Sequence, residues 1–277
     1  MKRRVKKAYT AARHRWRLAT APVRTLPDFI IIGAQKCGTT FLYQLLVQHP
    51  HVKPAFAKEV HYFDLNFRKG DNWYRSYFPL QMRSSRKYIT GEASPYYLFH
   101  PHAPRRAWAV VPDAKLIVLL RNPVDRAYSH YQHQVKRVKR EARETLTFEE
   151  AIEAEERILS GEVSKMLQNE DYKSFSHRSR SYLSRGIYID QLLLWSSFFR
   201  REQMLVLKSE DLFNDTTNAL ERVLDLLEIP RWAPETYSIP NKREYAGVSP
   251  LMRQRLNEYY KPHNQRLYEY LGVDLGW

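Results

Sequence analysis

The stretch Phe29-Ile30-Ile31-Ile32-Gly33-Ala34-Gln35-Lys36-Cys37-Gly38-Thr39-Thr40-Phe41-Leu42 decides the fold class of this 277-residue chain. Its apolar, β-branched start is long enough for a strand buried on both faces. The run stops at Gly33. Phe41, Leu42, Leu45 and Leu46 then recur at helical spacing, and His49-Pro50 closes that helix. The scheme repeats downstream. Leu116–Leu120 reads as a strand, after which Asn122 caps a helix with Pro123 at its first position. Met204–Leu207 reads as a third strand, followed by a helix over Thr216–Leu227. Ser249-Pro250 opens another helix, Pro262 is expected to break it, and a last helix runs to Gly272. Strands alternating with helices predict an α/β fold of three layers, a central parallel sheet flanked by helices.

The turn at Gly33–Thr40 carries the first chemistry. A strand feeding a helix through such a turn points backbone N–H groups and the positive end of the helix dipole at one spot, which suits phosphate. Gly38 permits close approach, and Thr39 and Thr40 add hydroxyl donors. The pattern is P-loop-like, but Thr39 stands where G-x-x-x-x-G-K-[ST] has its lysine, and the lysine lies inside the turn at Lys36. From there it reaches the first phosphate group, where a leaving oxygen would develop charge. Cys37 reads as a small filler, because the sequence places no histidine beside it.

A second anion site follows from Arg121, which ends a strand, and Ser129, seven residues beyond Asn122. Seven residues are about two helical turns, so Ser129 returns to the face of the helix start. Arginine and hydroxyl then converge at the carboxyl edge of the sheet, where such folds bind ligands.

Composition bounds the class. The chain is 43% hydrophobic and 13% aromatic, enough to bury a sizeable core. Its formal charge is 45 − 30 = +15, so acidic partners are expected. Nine of those cations precede Asp28, the first acid, which marks residues 1–27 as a basic arm and 28–277 as the catalytic domain. The arm reads as solvated or loosely docked, or as a contact for anionic membrane or another polyanion. A single cysteine excludes an internal disulfide, and no apolar run exceeds about six residues, too short to span a membrane. With no signal peptide either, cytoplasmic residence is the expectation.

In this order, GAQKCGTT (33–40), KEVHYFD (58–64) and LLRNPVDRAYSHY (119–131) resemble the sulfotransferases that use 3′-phosphoadenosine 5′-phosphosulfate. Within that family the chain is similar to the heparan-sulfate N- and 3-O-sulfotransferase branch and to bacterial sulfotransferase domains like it. The closing LNEYYKPHNQRLYEYLG (256–272) fits the same branch. The resemblance implies that Lys36, Cys37, Gly38, Thr39 and Thr40 hold the 5′-phosphosulfate and that Arg121 and Ser129 hold the 3′-phosphate. It places Glu59 as catalytic base, with His61 and Asp64 orienting base or acceptor and Lys36 stabilising the leaving group. Tyr182 and Gly186 are candidates for the nucleotide pocket, and equally for packing. That branch carries a disulfide near its C-terminal nucleotide loop, which this chain cannot form. It also carries a Lys-Gly-Arg stretch, of which Asn241–Tyr245 is a loose match that offers Lys242 and Arg243 as contacts. The implied reaction moves a sulfuryl group to a hydroxyl or amine, most readily of a carbohydrate or other small molecule, and needs no metal.

Two rival classes are weaker. A P-loop small-molecule kinase would want a lysine after Gly38. A nucleic-acid-binding protein would use the basic stretch Lys136, Arg137, Lys139, Arg140 and Arg143, but acids follow at Glu149, Glu150, Glu153, Glu155 and Glu156. No dedicated nucleic-acid partner is expected, and the same stretch could guide a polyanionic glycan. His49/His51, His100/His102 and His130/His133 lack the ligand spacing of zinc sites and read as surface or loop residues. The polar segment 161–181 reads as a surface excursion or lid.

Overall fold

The computed structural model describes residues 12–81, 88–140, 146–237 and 247–277. Five parallel strands form one sheet in the order β2-β3-β1-β4-β5: β1 Phe29–Gly33, β2 Val52–Pro54, β3 Ile89–Ala93, β4 Lys115–Leu120 and β5 Met204–Lys208. β1 lies at the centre and is buried along its whole length, as a strand covered on both faces must be. It pairs on one side with β3, Ile31 opposite Ala93, and on the other with β4, Ile31 opposite Ile117. After β1 the chain builds to one side and then returns past β1 to β4. That reversal opens a crevice beyond the carboxyl ends of β1, β3 and β4. The Gly33 turn, Ser94 and Arg121 leave the sheet on this edge.

The three expected strands and the three-layer plan are present, and the helices Thr39–Leu46, Pro123–Arg140 and Thr216–Leu226 follow their strands. Asn122 caps its helix as expected, its Oδ1 accepting from the N–H of Val124 at 3.0 Å. β2 and β3 had no sequence reading. β2 has three residues, and β3 reads Ile-Thr-Gly-Glu-Ala, without an apolar run.

The expected break at Pro262 does not occur. One helix runs Pro250–Leu271 with Pro262 inside it. An internal proline costs about 3 kcal/mol. The helix buries Met252, Leu256 and Tyr260 before the proline and Asn264 and Leu267 after it. Each apolar side chain buried this way contributes about 1.5–3 kcal/mol, so packing outweighs the lost hydrogen bond.

The described part of the basic arm lies on the domain. Residues 12–19 are helical. The buried Arg17 donates to the carbonyls of Ser76 and Phe78 at 2.6 and 2.7 Å, and Arg24 donates to Phe78 O at 2.8 Å. These two arginines are engaged by backbone, while Arg13 and Arg15 remain on the outside. Among the described residues, no helix is long and apolar enough to cross a membrane.

Candidate active site

The turn after β1 is shaped by two positive-φ residues, Lys36 at 76° and Gly38 at 89°, which fold the chain back so that the helix Thr39–Leu46 starts over the loop. Gly33 admits no side chain, since a Cβ there would stand 2.5 Å from Leu98 Cβ. The loop is braced from three directions. Ala34 N–H donates to Leu119 O at 2.7 Å, Ser209 donates to Cys37 O at 3.0 Å, and Arg185 donates to Gln35 Oε1. Cys37 and Thr39 are buried, whereas Thr40 is exposed. Burial pushes the Cys37 thiol up to about 11, against the pull of Arg126 and Arg121. It is therefore a filler, as its sequence context suggests.

Positive charge collects behind this loop. Arg121 leaves β4 half-buried, Ser129 is 9% exposed, and Arg126 and Arg185 are almost completely buried. Burial, then the charges of Arg185, Arg126, His133 and Lys36, hold His130 well below the usual imidazole range. Arg126 Nε and Nη1, Arg185 Nε and His130 Nδ1 find no hydrogen-bond partner among the described residues. Both arginines bond through other nitrogens, to Tyr182 O from Arg126 and to Gln35, His177 O and Arg178 O from Arg185, but a buried N–H left unpaired is costly. A loop of backbone donors beside a surplus of cations fits a nucleotide that carries several anionic groups.

Glu59, His61 and Asp64 meet in a second cluster. Glu59 Oε2 and His61 Nε2 are 3.2 Å apart, and His61 Nδ1 and Asp64 Oδ2 are 2.6 Å apart. Lys58 donates to Glu59 Oε1 at 3.1 Å. The hydrogen bond from His61 is the main reason that Glu59 is held down to about 2; Lys58 helps, and burial works against both. Burial opposes charge on His61, but its bonds to Asp64 and Glu59 outweigh that and push the imidazole up to about 10. The contacts on both ring nitrogens thus favour the charged form of His61. Glu59 and His61 both sit in the left-handed region, with φ of 60° and 53°. Two such non-glycine residues in three positions mark a strained segment that its surroundings must hold.

The segment lies over the carboxyl end of β3, because His61 N–H donates to Ser94 Oγ at 3.1 Å. β3 pairs with β1, so Glu59 and the Lys36 loop share one edge of the sheet. A cleft of about 500 Å³ opens there. Glu59, His61, Lys69, Trp73 and Tyr77 form one wall, and Lys173, Phe175 and Arg178 form the other. The second wall comes from the polar segment 161–181, folded into the helices Glu162–Gln168 and Phe175–Ser179.

Tyr182 and Gly186 both carry packing contacts. The Tyr182 ring packs with Val124, Ala127 and Phe148, and its carbonyl accepts from Arg126. Gly186 allows Tyr260 to approach closely and donate to Leu183 O at 2.9 Å. Lys242 and Arg243 lie outside the described residues. One histidine corrects the surface-or-loop reading: His130 is buried inside the helix Pro123–Arg140, whereas His49, His100 and His102 lie in loops, though buried, and His51 and His133 are exposed. His49 meets Pro230 O at 2.9 Å and His102 meets Met166 O at 2.7 Å. Satisfied ring nitrogens make such histidines compatible with a core. The sequence reading missed Glu92, Arg126, Arg185 and the carboxylate role of Glu155. For Arg126 a signal existed, since it lies on the helix between Arg121 and Ser129.

Residues 26–243 match the sulfotransferase domain family, and the chain belongs to it. It is 32% identical to human heparan sulfate glucosamine 3-O-sulfotransferase 3B1, over 92% of this chain and 65% of that protein. It is 30% identical to the bifunctional heparan sulfate N-deacetylase/N-sulfotransferase 1 of Caenorhabditis elegans, over 90% of this chain and 30% of that one. The chain thus spans less than two thirds of these curated relatives. The crystal structure of a sulfotransferase from Alicyclobacillus acidocaldarius superposes with a TM-score of 0.66 at 30% identity, covering 91% of this chain and 98% of that one.

Proposed function

We propose that this sulfotransferase moves the sulfuryl group of 3′-phosphoadenosine 5′-phosphosulfate to a hydroxyl or amine of a carbohydrate, with Glu59 as base. The observation that carries the reading is the Glu59–His61–Asp64 cluster at the mouth of a cleft on the edge that also bears the Lys36 loop. In this reading Lys36 to Thr40 hold the 5′-phosphosulfate, and Arg121 and Ser129 hold the 3′-phosphate. This co-substrate supplies an activated sulfuryl group. The protein's share is in-line placement and stabilisation of charge, as in phosphoryl transfer. The acceptor oxygen or nitrogen bonds to sulfur as the sulfur–oxygen bond to phosphate breaks. The electron pair leaves with the bridging oxygen beside Lys36, and the acceptor proton passes to Glu59. A carboxylate held down to about 2 is a weak base at rest. It takes the proton only as the new bond makes the acceptor acidic, so His61 and Asp64 contribute aim more than basicity.

The cleft supports a carbohydrate. Trp73, Tyr77 and Phe175 offer ring faces for a sugar, and Lys69, Lys173 and Arg178 offer charge for its acidic groups. Lys69 Nζ lies 4.4 Å from the Trp73 ring centroid, so the ammonium covers one face of that ring.

The test follows release of adenosine 3′,5′-bisphosphate with N-deacetylated heparosan as acceptor, beside thermal stabilisation by the bisphosphate. Ligand at 100 times its dissociation constant adds about 2.7 kcal/mol. Glu59→Gln should lose about 10²–10⁴-fold in turnover and keep the stabilisation. Arg121→Ala should lose the stabilisation. Near-normal turnover by Glu59→Gln removes the base assignment. Stabilisation by ATP with magnesium, and none by the bisphosphate, replaces the reading with that of a kinase.

A further inference from the structure

We propose that Glu92, on β3, is the positioning residue that holds Glu59 in its productive orientation. The proposal rests on Glu59 being the base. Glu92 is completely buried, behind the segment that carries Glu59 and His61. Three consecutive backbone N–H groups of that segment are directed to its carboxylate. Val60 N–H donates to Glu92 Oε2 at 3.3 Å. His61 N–H donates to Ser94 Oγ at 3.1 Å, and Ser94 donates onward to Oε2 at 2.6 Å. Tyr62 N–H donates to Tyr97 Oη at 2.6 Å, and Tyr97 donates onward to Oε1 at 3.0 Å. Tyr74 fills the last position on Oε1 at 2.8 Å.

The positive φ of Glu59 and His61 is what turns these N–H groups to one side. Successive N–H groups gathered this way form a concave nest that binds an anion. Here the anion is a side chain of the protein itself. Without it the left-handed segment would have no compensation and could relax to ordinary backbone geometry, swinging Glu59 out of line.

The network brings donors to both oxygens of Glu92. Ser94 and Tyr97 each accept from a backbone N–H, so each has one proton left, and it goes to Glu92. Each carboxylate oxygen receives two donors, and none of the four positions has room for a further hydrogen. Burial raises the proton affinity of Glu92, and the hydroxyls of Ser94, Tyr74 and Tyr97 lower it. Burial is the larger of the two and Asp64 adds to it, so the carboxyl is raised above its ordinary value while the hydroxyls oppose the rise.

Glu92→Gln keeps the shape but sets an amide N–H₂ against two of the donors. Ser94→Ala and Tyr97→Phe each cut one relay and leave the carboxylate in place, which keeps the test open if Glu92→Gln does not fold. All three should lower kcat by about tenfold or more, the scale of small misplacements at a reacting centre. The acceptor KM and the melting shift given by adenosine 3′,5′-bisphosphate should stay at parental values. In a Glu59→Gln background the same substitutions should cost nothing further, because groups acting as a unit are not additive. Parental kcat in Ser94→Ala and Tyr97→Phe, with Glu59→Gln inactive, overturns this proposal alone. Equal losses with and without Glu59, or loss of the nucleotide shift in step with kcat, make Glu92 merely structural and also overturn it. Full activity of Glu59→Gln by itself overturns the base assignment and this proposal with it.

Discussion

Glu155→Gln tests whether a buried carboxylate organises the nucleotide side of the site. Glu155 is 4% exposed. Its Oε2 accepts from Tyr182 N–H and Leu183 N–H, both at 2.7 Å, and its Oε1 accepts from Ser184 N–H at 2.9 Å and Ser184 Oγ at 2.8 Å. In glutamine one oxygen becomes a donor. Placed toward Ser184, the amide can give to a rotated hydroxyl, but Ser184 N–H is left buried and unpaired, at about 1–3 kcal/mol. The two bonds that remain lose their charge assistance, about 1 kcal/mol each. The sum is about 3–5 kcal/mol, a fall in Tm of roughly 6–12 °C for a domain of this size. Arg185 should make it worse. Burial pulls that guanidinium down to about 9, Arg126 acts the same way, and Glu155 is a charge that opposes them. Because Arg185 follows Ser184 and donates to Gln35 of the phosphate loop, the bisphosphate affinity should fall as well. Melting followed by fluorescence, with and without the bisphosphate, reads both effects. A Tm within about 1 °C of the parent would refute the reasoning, since a fully satisfied buried carboxylate cannot be traded for an amide without loss.

Three further outcomes are expected. Gly186→Ala would place a Cβ 2.6 Å from the Tyr260 hydroxyl and 2.9 Å from its ring, and urea denaturation should show a loss of about 1–3 kcal/mol. Turnover should be level through mildly alkaline pH and fall near pH 10: His61, pushed up to about 10 from 6.5, keeps its charge until then, and its contribution to stability, full below 6.5, declines up to the same limit. An alkaline limb near pH 7 in the pH–rate profile would contradict this. Cys37, buried and pushed up to about 11, should resist iodoacetamide at about pH 8 until the protein is unfolded, and Cys37→Ala should keep its turnover.

The fold was legible where burial writes itself into consecutive residues. β1 and β4 are covered on both faces, so their apolar runs stand out, and the glycine turn after β1 announces the ligand edge. β3 is equally buried yet was invisible, because its sequence includes Thr90, Gly91 and Glu92. Gly91 leaves no room for a side chain, since a Cβ would meet Phe29 O at 2.5 Å, and Glu92 is buried as the acceptor for Val60 N–H and the hydroxyls of Ser94, Tyr74 and Tyr97. Pro262 misled for the converse reason. A local rule about one hydrogen bond was overruled by side chains on both sides of it packing along a single helix face.

The same reasoning explains why the site was only half legible. The residues proposed to face the ligand, Lys36, Glu59 and Arg121, sit in short motifs, and a motif can be read along the chain. Those that hold the ligand-facing residues in place do not. Glu59 and Glu92 are 33 positions apart, and Glu155 is 27 or more from the backbone it gathers. A glutamate in a row of letters looks solvated, and most are. What distinguishes Glu92 and Glu155 is that three successive N–H groups elsewhere in the chain lead to each of them, directly at Glu155 and partly through the hydroxyls of Ser94 and Tyr97 at Glu92, a fact that exists only once the chain has folded. The two carboxylates do the same work on opposite flanks of the crevice. Glu92 gathers 60–62 beneath the acceptor side, and Glu155 gathers 182–184 beneath the nucleotide side. The flanks thus differ in what they present and agree in how they are held. Removal of either anion should therefore disturb its own flank alone, with kcat falling for Glu92 and bisphosphate affinity falling for Glu155.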